Sequence, residues 1–423
     1  MNKNTNFSKI WLNYYFVDVP RTAGGDIVQV EIWNKTGITV DFLNTSRHRL
    51  LTMTARRRPP SLARNTGTAS RYQQPLVSRV SKKKKGATEE ANDDGTQMEP
   101  KTIDSGHRSH HSKARSIQGT NREGNEAIFN RALKEFCLNS IETGPKKLAN
   151  EFVETRSAMP KNVPKTAFQA HGPKNRYKDV ICLDETRVKL TWPDSGNDYI
   201  HANYVNMDGK MRYICTQGPT ADTTVDFWRM VWQEKCKGIL MLCEVMEMGK
   251  KKCEQYWPLK VGEEGEYGPI KVKTLKVLQT EEHLHTTHLE ITAVGETRQV
   301  HHILWEKWPD RGVPKDYLGC LRLIKRINPI VPVVVHCSAG IGRTGTIVGL
   351  EMLQLKLQKG EVCTMAEVVA ELRKYRHGSV QTDVQFLYMH RVIMELATNR
   401  KAITRAELQG FYEEYDKIVA RTQ

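Results

Sequence analysis

Val333-Val334-Val335-His336-Cys337-Ser338-Ala339-Gly340-Ile341-Gly342-Arg343-Thr344-Gly345 is the stretch from which the rest of this chain is read. Its β-branched opening predicts a buried strand, the small residues after Cys337 a tight loop, and the sequence from Ile347 the apolar start of a helix. Small residues let consecutive backbone N–H groups converge on one anion, and a following helix adds the positive end of its dipole at the same point. Cys337 stands at the mouth of that cradle, where a cysteine is favoured as the nucleophilic thiolate. Arg343 lies where the loop closes, and its planar fork can grip two phosphoryl oxygens as charge shifts in a transfer reaction. A cysteine beside a glycine-rich turn is by default a small buried hydrophobe. Cys137, Cys182, Cys215, Cys236, Cys243, Cys253, Cys320 and Cys363 keep that reading, because none is followed by such a loop.

Outward from this stretch, Gly238 to Cys243 reads as a second buried strand, and Thr223 to Lys235 and Ala366 to Tyr375 read as helices. Ile128, Ala132, Leu133 and Phe136 recur at helical spacing, and Leu148, Phe152 and Val153 predict the next helix. This mixture, about 270 residues long, fits one α/β domain around a single sheet. We place it at residues 123–400. Over 401–423 a closing helix is expected, with Thr404 and Glu407 at capping-box spacing and Leu408, Phe411, Tyr415 and Ile418 on one face.

The segment 46–122 differs in kind. It carries Arg56-Arg57-Arg58-Pro59-Pro60, Lys82 to Lys85 and His107-Arg108-Ser109-His110-His111 with almost no apolar clustering, so it is expected as a disordered basic linker. Residues 1–45 contain Ile27 to Trp33 and Ile38-Thr39-Val40, β-branched runs around a turn-like centre that predict a hairpin of no assigned function.

Composition limits the partners. The 423 residues hold 64 Lys plus Arg against 48 Asp plus Glu, a formal charge of +16. The basic linker accounts for much of the visible clustering and suits an import receptor or an anionic surface, while the lack of interleaved aromatics argues against specific nucleic-acid readout. Nine cysteines without regular spacing argue for a reducing compartment rather than a disulfide framework. The apolar run Ile10 to Val19 is broken by Asn13 and Asp18 and is too short to span a bilayer. The expectation is a monomeric, cytoplasmic protein, with nuclear or peripheral membrane association left open.

His336-Cys337, five residues and Arg343-Thr344-Gly345 resemble the signature loop of the protein tyrosine phosphatases. Lys174 to Val180, Asp198 to Tyr204, Thr216-Gln217-Gly218-Pro219, Gln255-Tyr256-Trp257-Pro258, Trp308-Pro309-Asp310 and Gln381-Thr382-Asp383-Val384-Gln385 resemble, in order, further blocks of the tyrosine-specific branch, from about residue 125 to 400. The resemblance implies a protein-tyrosine-phosphatase-like domain with a twisted mixed sheet flanked by helices. It implies hydrolysis of phosphotyrosine in proteins through a cysteinyl-phosphate, with no cofactor and no metal. The alternatives are a phosphotyrosine-binding pseudophosphatase and a dual-specificity phosphatase.

By the same resemblance Cys337 is the nucleophile, Arg343 the phosphate clamp and Asp310 the general acid and base, on a loop continuing as Arg311-Gly312-Val313-Pro314. A second Trp-Pro-Asp, at Asp194, falls in a plain turn and is read as a turn residue. Gln381 matches the residue that positions the hydrolytic water and Thr344 the hydroxyl that helps the thiolate leave. Tyr177 matches the aromatic wall of a deep cleft, Asp179 a holder of the substrate backbone, and Lys178 and Arg311 favour acidic flanks. Ser338, Ala339, Gly340, Ile341 and Gly342 would line the cradle with Gln385 beside it, and His336, Glu247 and Lys252 would support it, Glu247 by orienting Arg343. Three positions depart from the family's pattern: His201 where Asn is usual, and Glu244 and Met248 where basic residues are common. His283, His285, His288, His301 and His302 lie in strand-like sequence without paired ligands and are not read as a metal site.

Overall fold

A computed structural model of the protein describes residues 7–12, 15–20, 28–30, 39–42, 54–56 and 110–421, with side chains from 123 onward. The chain divides into two units, Met1–Thr102 and Ile103–Gln423. In the first, β1 (Phe7–Leu12) pairs antiparallel with β2 (Tyr15–Pro20). Strands β3 (Val28–Val30), β4 (Thr39–Phe42) and β5 (Thr54–Arg56) form a second antiparallel sheet, with Val28 opposite Phe42 and Val30 opposite Val40. The linker expected over 46–122 lies mostly outside the described residues, which in that span are 54–56 and 110–122.

The second unit opens with helices α1 (His110–Thr143), which starts inside the expected linker, α2 (Pro145–Ser157) and α3 (Thr166–Ala170). Its strands are β6 (Arg187–Lys189), β7 (Tyr199–Met207), β8 (Lys210–Thr216), β9 (Gly238–Met241), β10 (Met246–Glu247), β11 (Lys250–Lys251), β12 (Glu264–Tyr267), β13 (Ile270–Glu281), β14 (Leu284–Ala293), β15 (Glu296–Trp305) and β16 (Val333–His336). Helix α4 (Thr224–Gln233) precedes β9, α5 (Gly319–Ile327) precedes β16, and α6 (Arg343–Gln358), α7 (Met365–Tyr375), α8 (Asp383–Asn399) and α9 (Arg405–Val419) follow it. Nine strands make one mixed sheet in the order β12-β13-β14-β15-β9-β16-β8-β7-β6.

The centre of that sheet is parallel: β16 runs alongside β8 and β9, with Val335 level with both Cys215 and Leu240. Val333, Val334 and Val335 are wholly buried, as a strand hydrogen-bonded on both edges and covered on both faces requires. The outer strands β13, β14 and β15 are antiparallel, and the burial of β14 and β15 largely alternates along the strand. Helix α8 is buried over most of its length and packs with α1, α2, α6 and α9. Helix α9 is capped reciprocally by Thr404 and Glu407 and buries Leu408, Phe411 and Tyr415. Among the described residues no helix is long and apolar enough to cross a membrane.

Candidate active site

The loop 337–342 leaves the carboxyl end of β16, the middle of the parallel strands, and runs into the first turn of α6. Ligands of open α/β sheets gather at this edge, and here a helix dipole points at it. Gly340 adopts φ +71°, and a Cβ built there would lie 2.0 Å from the Thr216 carbonyl oxygen, so the turn admits no side chain. Its N–H points at the Cys337 thiol, N to Sγ 3.3 Å. The loop is tied from behind: Ser338 O accepts from Gly218 N at 3.0 Å, and Ile341 O accepts from Val380 N at 2.9 Å.

Arg343 is 2 % exposed and held by both oxygens of Glu247, with Nη2 to Oε2 at 2.7 Å and Nη1 bonded to Oε1 and to Leu242 O. Burial alone would weaken its charge, but the Glu247 hydrogen bonds and the neighbouring acidic groups outweigh it and raise its pKa. Nη2 also reaches Asp310 Oδ1 at 3.1 Å, and Lys252 Nζ reaches Asp310 Oδ2 at 2.6 Å. Burial works to raise the Asp310 carboxyl, yet the Lys252 hydrogen bond and Arg343 together bring it below the ordinary aspartate range. The loop bearing Asp310 is braced by Trp308 Nε1 on Gly312 O at 3.1 Å and by Thr382 Oγ1 on Arg311 O at 3.1 Å. Cys337, Arg343, Asp310, Glu247 and Lys252 therefore converge, whereas Asp194 is an exposed turn residue whose Oδ1 accepts from Gly196 N.

Tyr177 is half-buried, its hydroxyl 2.9 Å from Ser338 Oγ, and that Oγ donates to Lys252 O at 2.9 Å. Lys178 and Asp179 beside it are exposed. Gln381 and Gln385 both sit against Gly342, where a Cβ would meet Gln381 Oε1 at 3.0 Å. Gln385 is wholly buried and its Oε1 accepts from Gln381 N at 3.0 Å, so it lies behind Gln381 rather than in the open cleft. Thr344 is buried and its hydroxyl has no hydrogen-bond partner among the described residues. The Ala339 carbonyl accepts from Arg376 Nη2 and the Ile341 carbonyl from Val380 N, and Met248 is 97 % exposed. Glu244 accepts from Lys307 N at 3.2 Å, at the start of the loop that carries Asp310.

His336 is wholly buried, with Nδ1 3.1 Å from Cys337 O and Nε2 2.7 Å from Tyr256 Oη. A carbonyl only accepts, so Nδ1 carries the proton and Nε2 receives the Tyr256 hydroxyl; the Tyr256 oxygen in turn accepts from His302 Nε2 at 2.8 Å. Burial lowers His336 to about 4 and His302 to about 3, which keeps both neutral. Sequence reading missed the reach of this relay, since His302 looks like any strand histidine. It also missed Arg376, which donates to Ala339 O and Gly340 O at 3.1 Å each, and Arg156, which donates to Gln381 O at 3.2 Å. His288 and His301 face each other across β14 and β15, and His285 lies 3.3 Å from Glu306.

The profile of the Protein-tyrosine phosphatase family matches residues 171–395. The chain is 37% identical over 235 residues to human tyrosine-protein phosphatase non-receptor type 12, covering 53% of this chain and 30% of that protein. It is 35% identical over 256 residues to mouse tyrosine-protein phosphatase non-receptor type 18, covering 57% and 55%. It thus spans only part of the curated relatives' own length. The crystal structure of the catalytic domain of human non-receptor type 18 superposes with a TM-score of 0.56 at 32% identity, over 59% of this chain and 96% of that one. A structure of PTPN18 in complex with HER2 phosphor-peptides gives 0.58 at 31% identity, over 62% and 98%. With a profile match over more than half its length and the Cys337 loop, Arg343 and the Asp310 loop gathered at one sheet edge, this chain belongs to the protein-tyrosine phosphatase family.

Proposed function

We propose that this chain hydrolyses phosphotyrosine in proteins by way of a cysteinyl-phosphate. The observation that carries the reading is the Gly340 N–H on Cys337 Sγ beside an arginine fixed at both carboxylate oxygens of Glu247. In this scheme the Cys337 thiolate attacks phosphorus as the bond to the tyrosyl oxygen breaks, and Asp310 gives that oxygen its proton. Arg343 and the loop amides stabilise the equatorial oxygens. Water held by Gln381 then attacks phosphorus, Asp310 takes its proton, and the Cys337–phosphorus bond breaks to release inorganic phosphate. Thr344, with a buried hydroxyl lacking a partner among the described residues, suits a donor to the departing thiolate.

Asp310 must be protonated to act first as an acid, although its resting partners favour the carboxylate. A dianionic phosphoryl group taking the guanidinium edge would remove Arg343 from Asp310 and add negative charge nearby, both of which raise the carboxyl. Tyr177, pinned to the loop through Ser338, supports a deep cleft that a phosphoserine would not fill. The phosphopeptide complexes of PTPN18 support the same class of substrate. Nine cysteines without a disulfide among them suit a reducing, intracellular setting.

The test is turnover of matched phosphotyrosine and phosphothreonine peptides across pH. Wild type should give a bell-shaped profile for phosphotyrosine, Cys337→Ser none, and Asp310→Ala a rate lower by about 10²–10⁴. Binding without turnover by folded wild type would make it a pseudophosphatase, and equal use of phosphothreonine a dual-specificity enzyme.

A further inference from the structure

Arg376 is wholly buried, and its hydrogen-bond partners among the described residues are all uncharged. Its charge is met by four acceptors: Ala339 O, Gly340 O, Asn203 Oδ1 at 2.7 Å and His201 Nδ1 at 3.1 Å. In a planar trans peptide the C=O and N–H point opposite ways. Drawing the carbonyls of Ala339 and Gly340 toward Arg376 therefore turns the N–H groups of Gly340 and Ile341 the other way, and the first of these is found on Cys337 Sγ. Arg376 thus sets the face of the cradle from behind.

Two members of this set also reach the segment that follows Tyr177: Asn203 Nδ2 donates to Leu183 O at 3.1 Å, and His201 reaches nearer to Tyr177. Its Nε2 lies 2.8 Å from Val180 O, three residues beyond Tyr177. A guanidinium only donates and a carbonyl only accepts, so Nδ1 must be bare and Nε2 must carry the proton. The ring is 2 % exposed, edge-on to Phe168, and its own carbonyl is held by Thr216 Oγ1 at 2.9 Å.

We propose that His201 is a positioning residue that locks the aromatic wall of the cleft to the phosphate cradle, through Arg376 on one ring edge and Val180 on the other. The proposal goes beyond the catalytic scheme but is assayed through it, so wild-type turnover and the His201 variants are read separately. In His201→Leu both bonds are lost. Peptide KM should rise and vanadate should bind weaker, each by about tenfold, the order expected when a buried hydrogen bond goes unmade. A carboxamide can accept from Arg376 and donate to Val180 O, so His201→Asn should restore both constants to within about threefold of wild type.

Thermal melts of both variants separate misfolding from mispositioning. In wild type, ¹⁵N spectra of the imidazole, assigned by its loss in His201→Asn, should show a proton on Nε2 alone and a resonance that moves when vanadate fills the cradle. A folded His201→Leu with wild-type constants overturns the proposal, and so does a folded His201→Asn that fails to rescue. Should His201→Leu not fold, the spectrum decides: a proton on Nδ1, or a resonance indifferent to vanadate, overturns it as well. Wild type without turnover that still shows the tautomer and the vanadate response would count against the catalytic scheme and not against His201.

Discussion

Lys252 and Arg343 compete for one carboxylate. Asp310 is held by both, at 2.6 Å and 3.1 Å, and its acidity is the balance of burial against these two cations. Removing Lys252 takes away a hydrogen bond that favours the ionised form, so the Asp310 pKa must rise, and at any given pH more of the enzyme holds the proton needed for the first step. In Lys252→Met the basic limb of kcat/KM is therefore expected at higher pH than in wild type; a limb at or below the wild-type position would show that Lys252 does not set this acidity. The pairing was not legible from spacing, because 58 residues separate the two. Cys337 and Arg343 were legible because strand, loop and helix follow one another without interruption. Arg376 was not, as its partner His201 lies 175 residues away and nothing local distinguishes a buried guanidinium from an exposed one.

The turn at Gly340 shows what the loop demands of its backbone. A positive φ and a neighbouring carbonyl 2.0 Å from any added Cβ act together. Gly340→Ala should cost more than about 1 kcal/mol of stability and abolish vanadate binding; urea melts and a vanadate titration would show it, and retained binding would mean that the loop has another conformation open to it. Elsewhere the elements followed the sequence where one physical signal dominated. The capping box at Thr404, a kind of cap worth about 1 kcal/mol, starts α9 where expected, and β16 and α7 fall within two residues of their predicted starts. Tertiary contacts decided the remainder. Val153 was placed on the apolar face of α2 but is 54 % exposed, because α2 docks through Leu148 and Phe152. The long antiparallel arm of β13, β14 and β15 is rich in Thr, Lys, Glu and His, and its extent is set by pairing between strands rather than by any apolar run.

Four buried histidines make the folded second unit sensitive to acid. Burial holds His201 and His302 at about 3 and His336 and His390 at about 4, against roughly 6.5 for histidine in an unfolded chain. Their folded values are depressed, so the stability they contribute is fully present above the unfolded value and is lost as pH falls from there through 3 to 4. Unfolding free energy should decline from about pH 6.5 downward, by up to about 1.4 kcal/mol per pH unit for each histidine. Urea titrations at pH 7, 6, 5 and 4 would show the slope, and a midpoint that stays constant to pH 4 would mean that these rings take up protons in the fold as readily as in the unfolded chain. The sheet order has a different consequence. Cys337 follows directly on a strand bonded to parallel neighbours on both sides, the kind of position where local opening is costliest, while Asp310 rides on a loop held by Trp308, Thr382, Lys252 and Arg343. On the proposed scheme the two groups that must meet at phosphorus are thus carried by supports of different kind, Cys337 by the centre of the sheet and Asp310 by a connecting loop.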